Sequence, residues 1–158
     1  MSPRAACRLD TLGFEHVHDY LPSKVDWLAR GLPTEGENAG QTRAGDLARD
    51  DIVTCRPDSR MADVRPRAEA SPYAFALVTT EDGTLVGRLR KTALEADPQA
   101  VAEQAMEPGP STVRAHLPAE EVAARMTQRG LSTVVVTSPD GTLLGVVRRQ
   151  DTQAAAGR

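Results

Sequence analysis

An internal repeat constrains the fold of this chain more than any other feature. Residues 79–91 read TTEDGTLVGRLRK, and residues 137–149 read TSPDGTLLGVVRR. The matching glycines Gly83 and Gly141 are 58 positions apart, and the two copies align without a gap. Self-similarity at a fixed spacing predicts that one structural unit occurs twice in this chain.

Each copy has the chemistry of a β-hairpin, with an apolar run, an Asp-Gly pair and a second apolar run. These are residues 75–78, Asp82-Gly83 and residues 85–86 in the first copy, and residues 134–136, Asp140-Gly141 and residues 143–144 in the second. An Asp-Gly pair tolerates the positive φ of a tight connection, so two hairpins are predicted.

A helix is predicted before the second hairpin. Apolar residues there follow the spacing of a helical face, namely Ala119, Val122, Ala123 and Met126. Pro118 can open this helix and Gly130 can close it. In the first copy, Pro66 interrupts the corresponding region 59–70. The repeated unit is therefore predicted as strand, helix, strand, turn and strand.

The second copy resembles a cystathionine beta-synthase (CBS) domain. Residues 129–151 read RGLSTVVVTSPDGTLLGVVRRQD, which is similar to that family's order of helix, apolar strand, Asp-Gly, glycine-led strand and closing Asp. The resemblance covers about residues 42–152 as two tandem units, the Bateman arrangement. It implies an α/β fold in which residues 42–98 form one CBS unit and residues 99–158 form the second with a C-terminal tail, packed as one module.

The resemblance also implies a ligand site. In CBS units the last strand leads to two hydroxyl residues and an Asp that holds the two ribose hydroxyls of an adenosyl compound, and an ionised carboxylate can accept two such bonds. The second unit keeps the carboxylate as Asp151, but Arg148 and Gln150 replace both hydroxyls. The first unit keeps Thr92 but has Ala93 in place of the Asp. A ribose site is therefore expected at the second unit and a weak or absent one at the first.

Three further positions complete the expected site. By the family pattern, Thr112, Leu131 and Ser132 would flank an adenine, and the ligands implied are AMP, ATP or S-adenosylmethionine. No other cofactor is indicated. For Asp151 the alternative is a helix N-cap or a solvated side chain, because Asp is common at N-caps.

Two basic pairs, Arg90-Lys91 and Arg148-Arg149, occupy equivalent places in the repeats. A two-fold-like packing of the repeats would bring their four charges to one cleft. Such a cleft would suit a phosphate-bearing ligand, because arginine binds phosphate through two nitrogens. The alternative is that each pair is a solvated strand end.

The first 33 residues differ in composition from the two repeats. They hold three of the chain's five Phe, Tyr and Trp residues, which are Phe14, Tyr20 and Trp27. The spacing predicts a helix containing Ala5, Ala6, Leu9 and Leu12, a short strand over 14–20, and a second helix containing Val25, Trp27 and Leu28. Gly13 and Gly31 would end the two helices, and Pro22 would open the second.

This segment resembles the C-terminal portion of a rhodanese domain, in which R-A-A helix residues precede G-F-x-x-V and a W-x-x-x-G-L-P ending. In that family the nucleophilic cysteine lies in a loop before the helix, whereas Cys7 lies within it. The catalytic loop and most of the sheet are therefore expected to be missing, and no nucleophile is assigned. Residues 34–41, TEGENAGQ, are the predicted linker to the repeats.

Composition narrows the class of protein. The chain has 158 residues, 40% of them hydrophobic and 26% charged, as in globular proteins. Its formal net charge of −3 gives no general affinity for nucleic acid, and no apolar run approaches the roughly 20 residues of a membrane span. Cys7 and Cys55 have no partner spacing for disulfides or zinc, and His16 and His18 lack a clear third ligand, so no metal site is expected. A cytoplasmic location is the expectation.

These observations predict a regulatory module without catalytic residues. It would be a homodimer that binds an adenosyl compound at the second unit and passes the signal through dimer contacts or an unknown protein partner. Two alternatives stay open: a ligand-free dimerisation or interaction scaffold, and the remnant of a rhodanese-type sulfurtransferase.

Overall fold

The structure is a computed structural model that describes residues 3–37, 39–95 and 97–156. Its helices are α1 (Pro3–Thr11), α2 (Ser23–Ala29), α3 (Ala44–Leu47), α4 (Met61–Ala70), α5 (Lys91–Leu94), α6 (Ala102–Ala105), α7 (Ala119–Gln128) and α8 (Arg149–Ala156). Its strands are β1 (Thr54–Cys55), β2 (Ala76–Thr79), β3 (Leu85–Leu89), β4 (Glu107–Pro108), β5 (Thr112–Arg114), β6 (Thr133–Thr137) and β7 (Leu143–Arg148). Within these ranges, no helix has both the length and the apolar character needed to cross a bilayer.

The strands form two sheets, one for each repeat. The first has the order β1-β2-β3-β4 and the second the order β5-β6-β7. In both sheets the first strand is parallel to the second, and the hairpin strands are antiparallel with a register shift near the turn. The predicted α/β fold with two repeated units is therefore confirmed.

The hairpin turns form where Asp-Gly predicts them. Gly83 has a φ of 83° and Gly141 a φ of 94°, values that glycine adopts without steric cost. The carboxylate of Asp82 accepts hydrogen bonds from the hydroxyls of Thr80 and Thr84, at 2.5 and 3.0 Å. These bonds lower the pKa of Asp82 and stiffen the turn.

Helix α7 follows the predicted pattern. It buries Ala119, Val122 and Met126, begins after Pro118 and is followed by Gly130 at a φ of 64°.

The predicted interruption of the corresponding helix in the first copy is wrong. Helix α4 is continuous, with Pro66 in its second turn. Proline removes a single backbone donor there. Burial of Met61, Val64 and Ala68 in the first core stabilises the helix around it.

In the N-terminal segment, α1 and α2 confirm the two predicted helices, but the strand predicted over residues 14–20 is wrong. Neither sheet includes a strand from this stretch, and a strand needs a neighbour for its backbone hydrogen bonds. The segment is held by side chains instead. Tyr20 packs edge-on against Trp27 with ring centroids 5.0 Å apart, and its hydroxyl donates to Asp26 at 2.5 Å.

The short helices before each sheet cross to the other unit. In α3, Ala44 is fully buried in the second core, and the N–H groups of Ala44 and Gly45 donate to the carbonyls of Leu117 and Ala115 at 2.8 and 2.9 Å. In α6, Ala102 is buried in the first core. Strand β4 then pairs with β3 of the first sheet. Each core is thus completed by the short helix that precedes the first strand of the other sheet.

The two units meet through their hairpin turns and sheets. The N–H of Leu85 donates to the carbonyl of Gly141 at 3.1 Å, and the N–H of Leu143 donates to that of Gly83 at 3.0 Å. A third apolar core lies between the sheets and contains Ile52, Leu77, Val135 and Val146. The predicted packing of two units as one module agrees with this arrangement.

Gly145 allows the backbone of the segment after α3 to approach β7, the edge strand of the second sheet. Its φ is 146°, and a Cβ there would lie 2.3 Å from the carbonyl oxygen of Arg49. The backbone of Arg49 exchanges two hydrogen bonds of 2.9 Å with Val146 at this crossing. At the equivalent Gly87, a Cβ would lie 2.2 Å from the sulfur of Met106.

Replacing Gly145 with alanine should therefore destabilise the whole chain. We expect Gly145→Ala to lower the free energy of unfolding by more than about 2 kcal/mol, because both the backbone conformation and the contact with Arg49 are lost. Urea unfolding followed by circular dichroism measures this.

Gly40→Ala is the matched control, because a Cβ at Gly40 would have no neighbour within 4 Å. It should leave the stability unchanged or raise it by up to about 1 kcal/mol. Equal stabilities of the two variants would contradict a close approach of the Arg49 backbone to Gly145.

Candidate functional site

Three of the clefts in the described part of the chain are lined by predicted site residues. The Asp151 cleft has a volume of about 380 Å³ and is lined by Thr42, Asp46, Leu47, Ala48, Arg49, Asp151, Ala154 and Ala155. The Tyr73 cleft has a volume of about 530 Å³ and is lined by Pro72, Tyr73, Phe75, Ser132, Thr133, Arg148, Arg149, Gln150 and Gln153. The arginine cleft has a volume of about 240 Å³ and is lined by Phe75, Arg88, Arg90, Ser111, Thr112, Val113, Arg125, Arg129, Leu131, Thr133, Val134 and Val135.

Asp151 is the third residue of α8, and Arg148 holds its carboxylate. The guanidinium of Arg148 donates to the two carboxylate oxygens, from Nε at 3.1 Å and from Nη2 at 3.3 Å. The backbone N–H of Arg148 donates to the same group at 3.4 Å. These bonds lower the pKa of Asp151 and raise that of Arg148. The Asp151 side chain is 20% exposed, so a ligand can reach it.

The alternative of Asp151 as an N-cap does not fit its place in the helix. The carboxylate reaches back from the first turn to the N–H of Arg148, the residue before α8, as a third helical residue does in a capping box. Asp151 therefore stabilises the start of α8 and also presents a carboxylate to solvent.

A second ion-pair network adjoins Arg148. The hydroxyl of Tyr73 donates to Asp51 at 2.5 Å, and Arg49 donates to the other carboxylate oxygen from two nitrogens at 3.4 Å. The Tyr73 hydroxyl lowers the pKa of Asp51, and the charge of Arg148 lowers it further. Burial and the bond to Asp51 raise the pKa of Tyr73. The groups around Arg148 therefore form one electrostatic cluster.

The structure distributes the predicted site residues among the three clefts. Asp151 lines the Asp151 cleft, Ser132, Arg148 and Arg149 line the Tyr73 cleft, and Thr112 and Leu131 line the arginine cleft. Arg148 connects the first two clefts because its guanidinium holds Asp151. The structure does not bring Thr112 and Leu131 together with Asp151.

Sequence reasoning missed Arg49, Asp51 and Tyr73. The repeat held a signal for Tyr73, because it is the counterpart of Leu131 at the 58-residue spacing. The sequence does not show that the connectors, the short helices α3 and α6 with the residues that follow them, each pack on the other unit. Because α3 lies on the second unit, the residues that follow it, and not Thr112, face the start of α8.

Arg149 has a structural role. Its guanidinium donates to the carbonyl of Leu131 at 2.6 and 3.0 Å and to that of Met126 at 3.2 Å. The Leu131 carbonyl lies just beyond the end of α7, and the Met126 carbonyl, in its last turn, also accepts from the N–H of Leu131 at 2.8 Å. Arg149 therefore ties α8 to α7.

The two basic pairs do not share one cleft. Arg90 lines the arginine cleft and donates to Glu107 at 2.8 Å, whereas Arg148 and Arg149 line the Tyr73 cleft. Lys91 is exposed in the first turn of α5. In the described part of the chain, no group of three or more His, Cys, Asp or Glu side chains is placed to hold a metal ion.

Comparison with known proteins gives one family match. Residues 101–154 match the family model of the CBS domain. Comparison with curated protein sequences gives no match. The rhodanese-like resemblance of the N-terminal segment stays a prediction.

Solved structures share the fold. The cytosolic domain of the Mg²⁺ channel MgtE, in complex with ATP, is 28% identical with a TM-score of 0.63, over 72% of this chain and 48% of that one. The CBS domains of a transcriptional regulator from Streptococcus pneumoniae are 20% identical with a TM-score of 0.62, over 71% of this chain and 97% of theirs. CBSX2 from Arabidopsis thaliana, in complex with AMP, is 21% identical with a TM-score of 0.61, over 72% and 95%.

These likenesses establish a CBS-pair fold. This chain spans about half the length of the magnesium-channel and magnesium-transporter structures that it matches, 48% in both cases.

Removing Arg148 should raise the pKa of Asp151. In Arg148→Gln the main partner that lowers this pKa is lost, so it should move up towards the ordinary value for aspartate. Carboxyl-carbon NMR titration of the parent and the variant measures this. A lowered pKa contributes stability above the pKa of the unfolded chain, and this is lost as the pH falls through the pKa of the folded chain.

The variant should therefore lose less stability than the parent on acidification. Arg125→Gln is the control, because Arg125 pairs with Glu121 and not with Asp151. An unchanged pKa of Asp151 in Arg148→Gln would assign the shift to the backbone N–H.

Proposed function

We propose that this chain is a non-catalytic regulatory CBS pair that binds an adenosyl compound with the ribose at Asp151. The observation that carries the proposal is the ligand-accessible carboxylate of Asp151 in the first turn of α8, held by Arg148 between two open clefts. An accessible carboxylate accepts two neighbouring hydroxyl groups, and a ribose offers such a pair. ATP is bound by the magnesium-channel relative and AMP by CBSX2.

The other groups of the site have roles in the proposed complex. Arg148 would bind phosphate or share Asp151 with the ribose, since a carboxylate has acceptor positions for several donors. The exposed face of Tyr73 would carry the adenine, because aromatic rings stack with bases. Ser132 and Arg149 line the same cleft, and Arg149 would keep α8 in place.

Regulation would follow from differential binding. The clefts are lined by both units and by the crossing connector, so a bound ligand would favour one arrangement of these parts over another. The output would pass through a homodimer or a protein partner.

A thermal-shift panel tests the proposal. AMP, ADP, ATP, S-adenosylmethionine and NAD are compared on the parent and on Asp151→Ala. A bound compound at about 100 times its dissociation constant stabilises by about 2.7 kcal/mol, which should raise the melting temperature by about 5–10 °C. The shift should disappear in Asp151→Ala.

Asp10→Ala is the control, because Asp10 is exposed on α1 and lines none of the three clefts. It should keep the full shift. No shift with any compound on the parent would contradict the proposal and favour a ligand-free dimerisation scaffold. An undiminished shift in Asp151→Ala would place the ligand elsewhere.

A further inference from the structure

The N-terminal segment, residues 3–33, leaves several large apolar side chains uncovered. In the described part of the chain five such side chains are exposed, and four of them lie in this segment, namely Leu12, Phe14, Leu21 and Val25. Helices α1 and α2 have no buried side chain. Helices of nine and seven residues are not stable alone and need an apolar face packed against other parts of a protein. The segment therefore lacks part of the packing surface that it needs.

A cleft in this segment exposes two aromatic rings. The Trp27 cleft has a volume of about 570 Å³, consists mainly of apolar surface and is lined by His18, Asp19, Tyr20, Lys24 and Trp27. The hydroxyl of Tyr20 already donates to Asp26 at 2.5 Å. The indole N–H of Trp27 already donates to the carbonyl of Pro33 at 2.8 Å. The two rings therefore offer carbon surface, which fits an apolar side chain better than a polar ligand.

Leu21 projects beside this cleft. It lies in the chain between Tyr20 and Lys24, which line the cleft, and it is 87% exposed. The turn that carries it is closed by a hydrogen bond of 3.1 Å from the N–H of Ser23 to the carbonyl of Tyr20. Ser23 has a φ of 81°, a conformation that costs energy in a residue other than glycine. A strained turn thus holds an apolar side chain in water, next to a cleft large enough to contain one.

The accessible surface of the chain is larger than that of a typical monomer. It is 9927 Å², whereas a folded monomeric protein of 158 residues exposes about 7,700 Å². A stable interface covers about 800 Å² on each partner. The excess of about 2,200 Å² is therefore sufficient for such an interface.

The charge of the segment favours a second copy of this chain over a charged partner. Residues 3–33 contain four Lys or Arg and four Asp or Glu residues. Two copies therefore do not repel each other here, and no net charge selects an acidic or a basic partner. In a two-fold dimer the same patch meets itself, so it must carry both a projecting group and the cavity that receives it. Leu21 and the Trp27 cleft are such a pair.

We infer that residues 3–33 are a self-association surface, in which Leu21 of each protomer occupies the Trp27 cleft of the other. The inference gives a surface to the homodimer named in the proposed function. It does not depend on ligand binding at Asp151, because no residue of this segment lines the Asp151 cleft or the Tyr73 cleft.

Sedimentation equilibrium without any nucleotide tests the inference, so its outcome is separate from that of the thermal-shift panel. The parent should dimerise between about 1 and 100 µM, and Leu21→Asp should raise the dissociation constant at least about thirtyfold, because a central apolar anchor is replaced by a charge. Thermal unfolding verifies that the variant is folded. If it is not, Leu21→Ala replaces it.

Tryptophan fluorescence shows which face pairs, because Trp27 is the only tryptophan of the chain. Its emission should move to shorter wavelength as the dimer forms, since the ring leaves water. The midpoint of this change should match the dissociation constant from sedimentation.

Leu144→Asp is the matched control, because Leu144 is the exposed large apolar residue outside the segment in the described part of the chain. Its dissociation constant should stay within about threefold of the parent. If it fails to fold, Gln41→Asp, at an exposed position of the linker, replaces it.

Four results would overturn the inference. They are a parent that stays monomeric at about 100 µM, an intact dimer in Leu21→Asp, an equal loss in the control, and dimerisation without a change in Trp27 emission. The first would leave this surface to a different protein, and the last would assign the dimer to another face.

Discussion

The reciprocal pairing of the two hairpin turns is the interaction on which the remaining structure depends. Two backbone hydrogen bonds, between Leu85 and Gly141 and between Leu143 and Gly83, place the repeats back to back. Apolar side chains of both sheets then fill the space between them. Because the pairing is reciprocal, the equivalent glycines and leucines of the two turns lie against each other. The clefts at this junction follow from that arrangement.

The two units use the same geometry with different charges. In the second unit Arg148, at the end of β7, pairs with Asp151 on the helix that follows, whereas at the equivalent place Arg90 pairs with Glu107 on β4. The first arrangement leaves a carboxylate that a ligand can share. The second leaves guanidinium groups in excess.

The sequence predicts those parts of the fold that local chemistry determines. Asp-Gly between apolar runs determines each hairpin, and the spacing of Val122 and Met126 determines α7. Local chemistry could not show whether residues 14–20 form a strand, because a strand needs a neighbouring strand that only the tertiary structure supplies. The prediction that Pro66 interrupts a helix was wrong because the burial of the apolar face of α4 outweighs the loss of one backbone hydrogen bond.

In the candidate site, too, some residues could be predicted from local sequence and others depend on tertiary packing. Arg148 lies in the repeat itself, and Asp151 was found from the resemblance to the CBS family, whose motif closes with an Asp. Arg49, Asp51 and Tyr73 could not be assigned to the same cluster, because nothing in the local pattern says which unit a connector covers. For the same reason the local pattern grouped Thr112 and Leu131 with Asp151, whereas in the structure these two residues line a different cleft.

The crossing of the connectors has a consequence for synthesis on the ribosome. Helix α3 emerges early, yet the core that it covers is complete only when β7 has been made. The first core in turn waits for Ala102, which lies in the short helix α6 before the strands of the second sheet. Neither half can therefore finish folding as soon as its own hairpin is translated, and long-range contacts of this kind slow folding. The first core is complete once α6 and Met106 have been made, whereas the second stays incomplete until Val147 in β7 is available, and an incomplete core exposes apolar surface that favours aggregation.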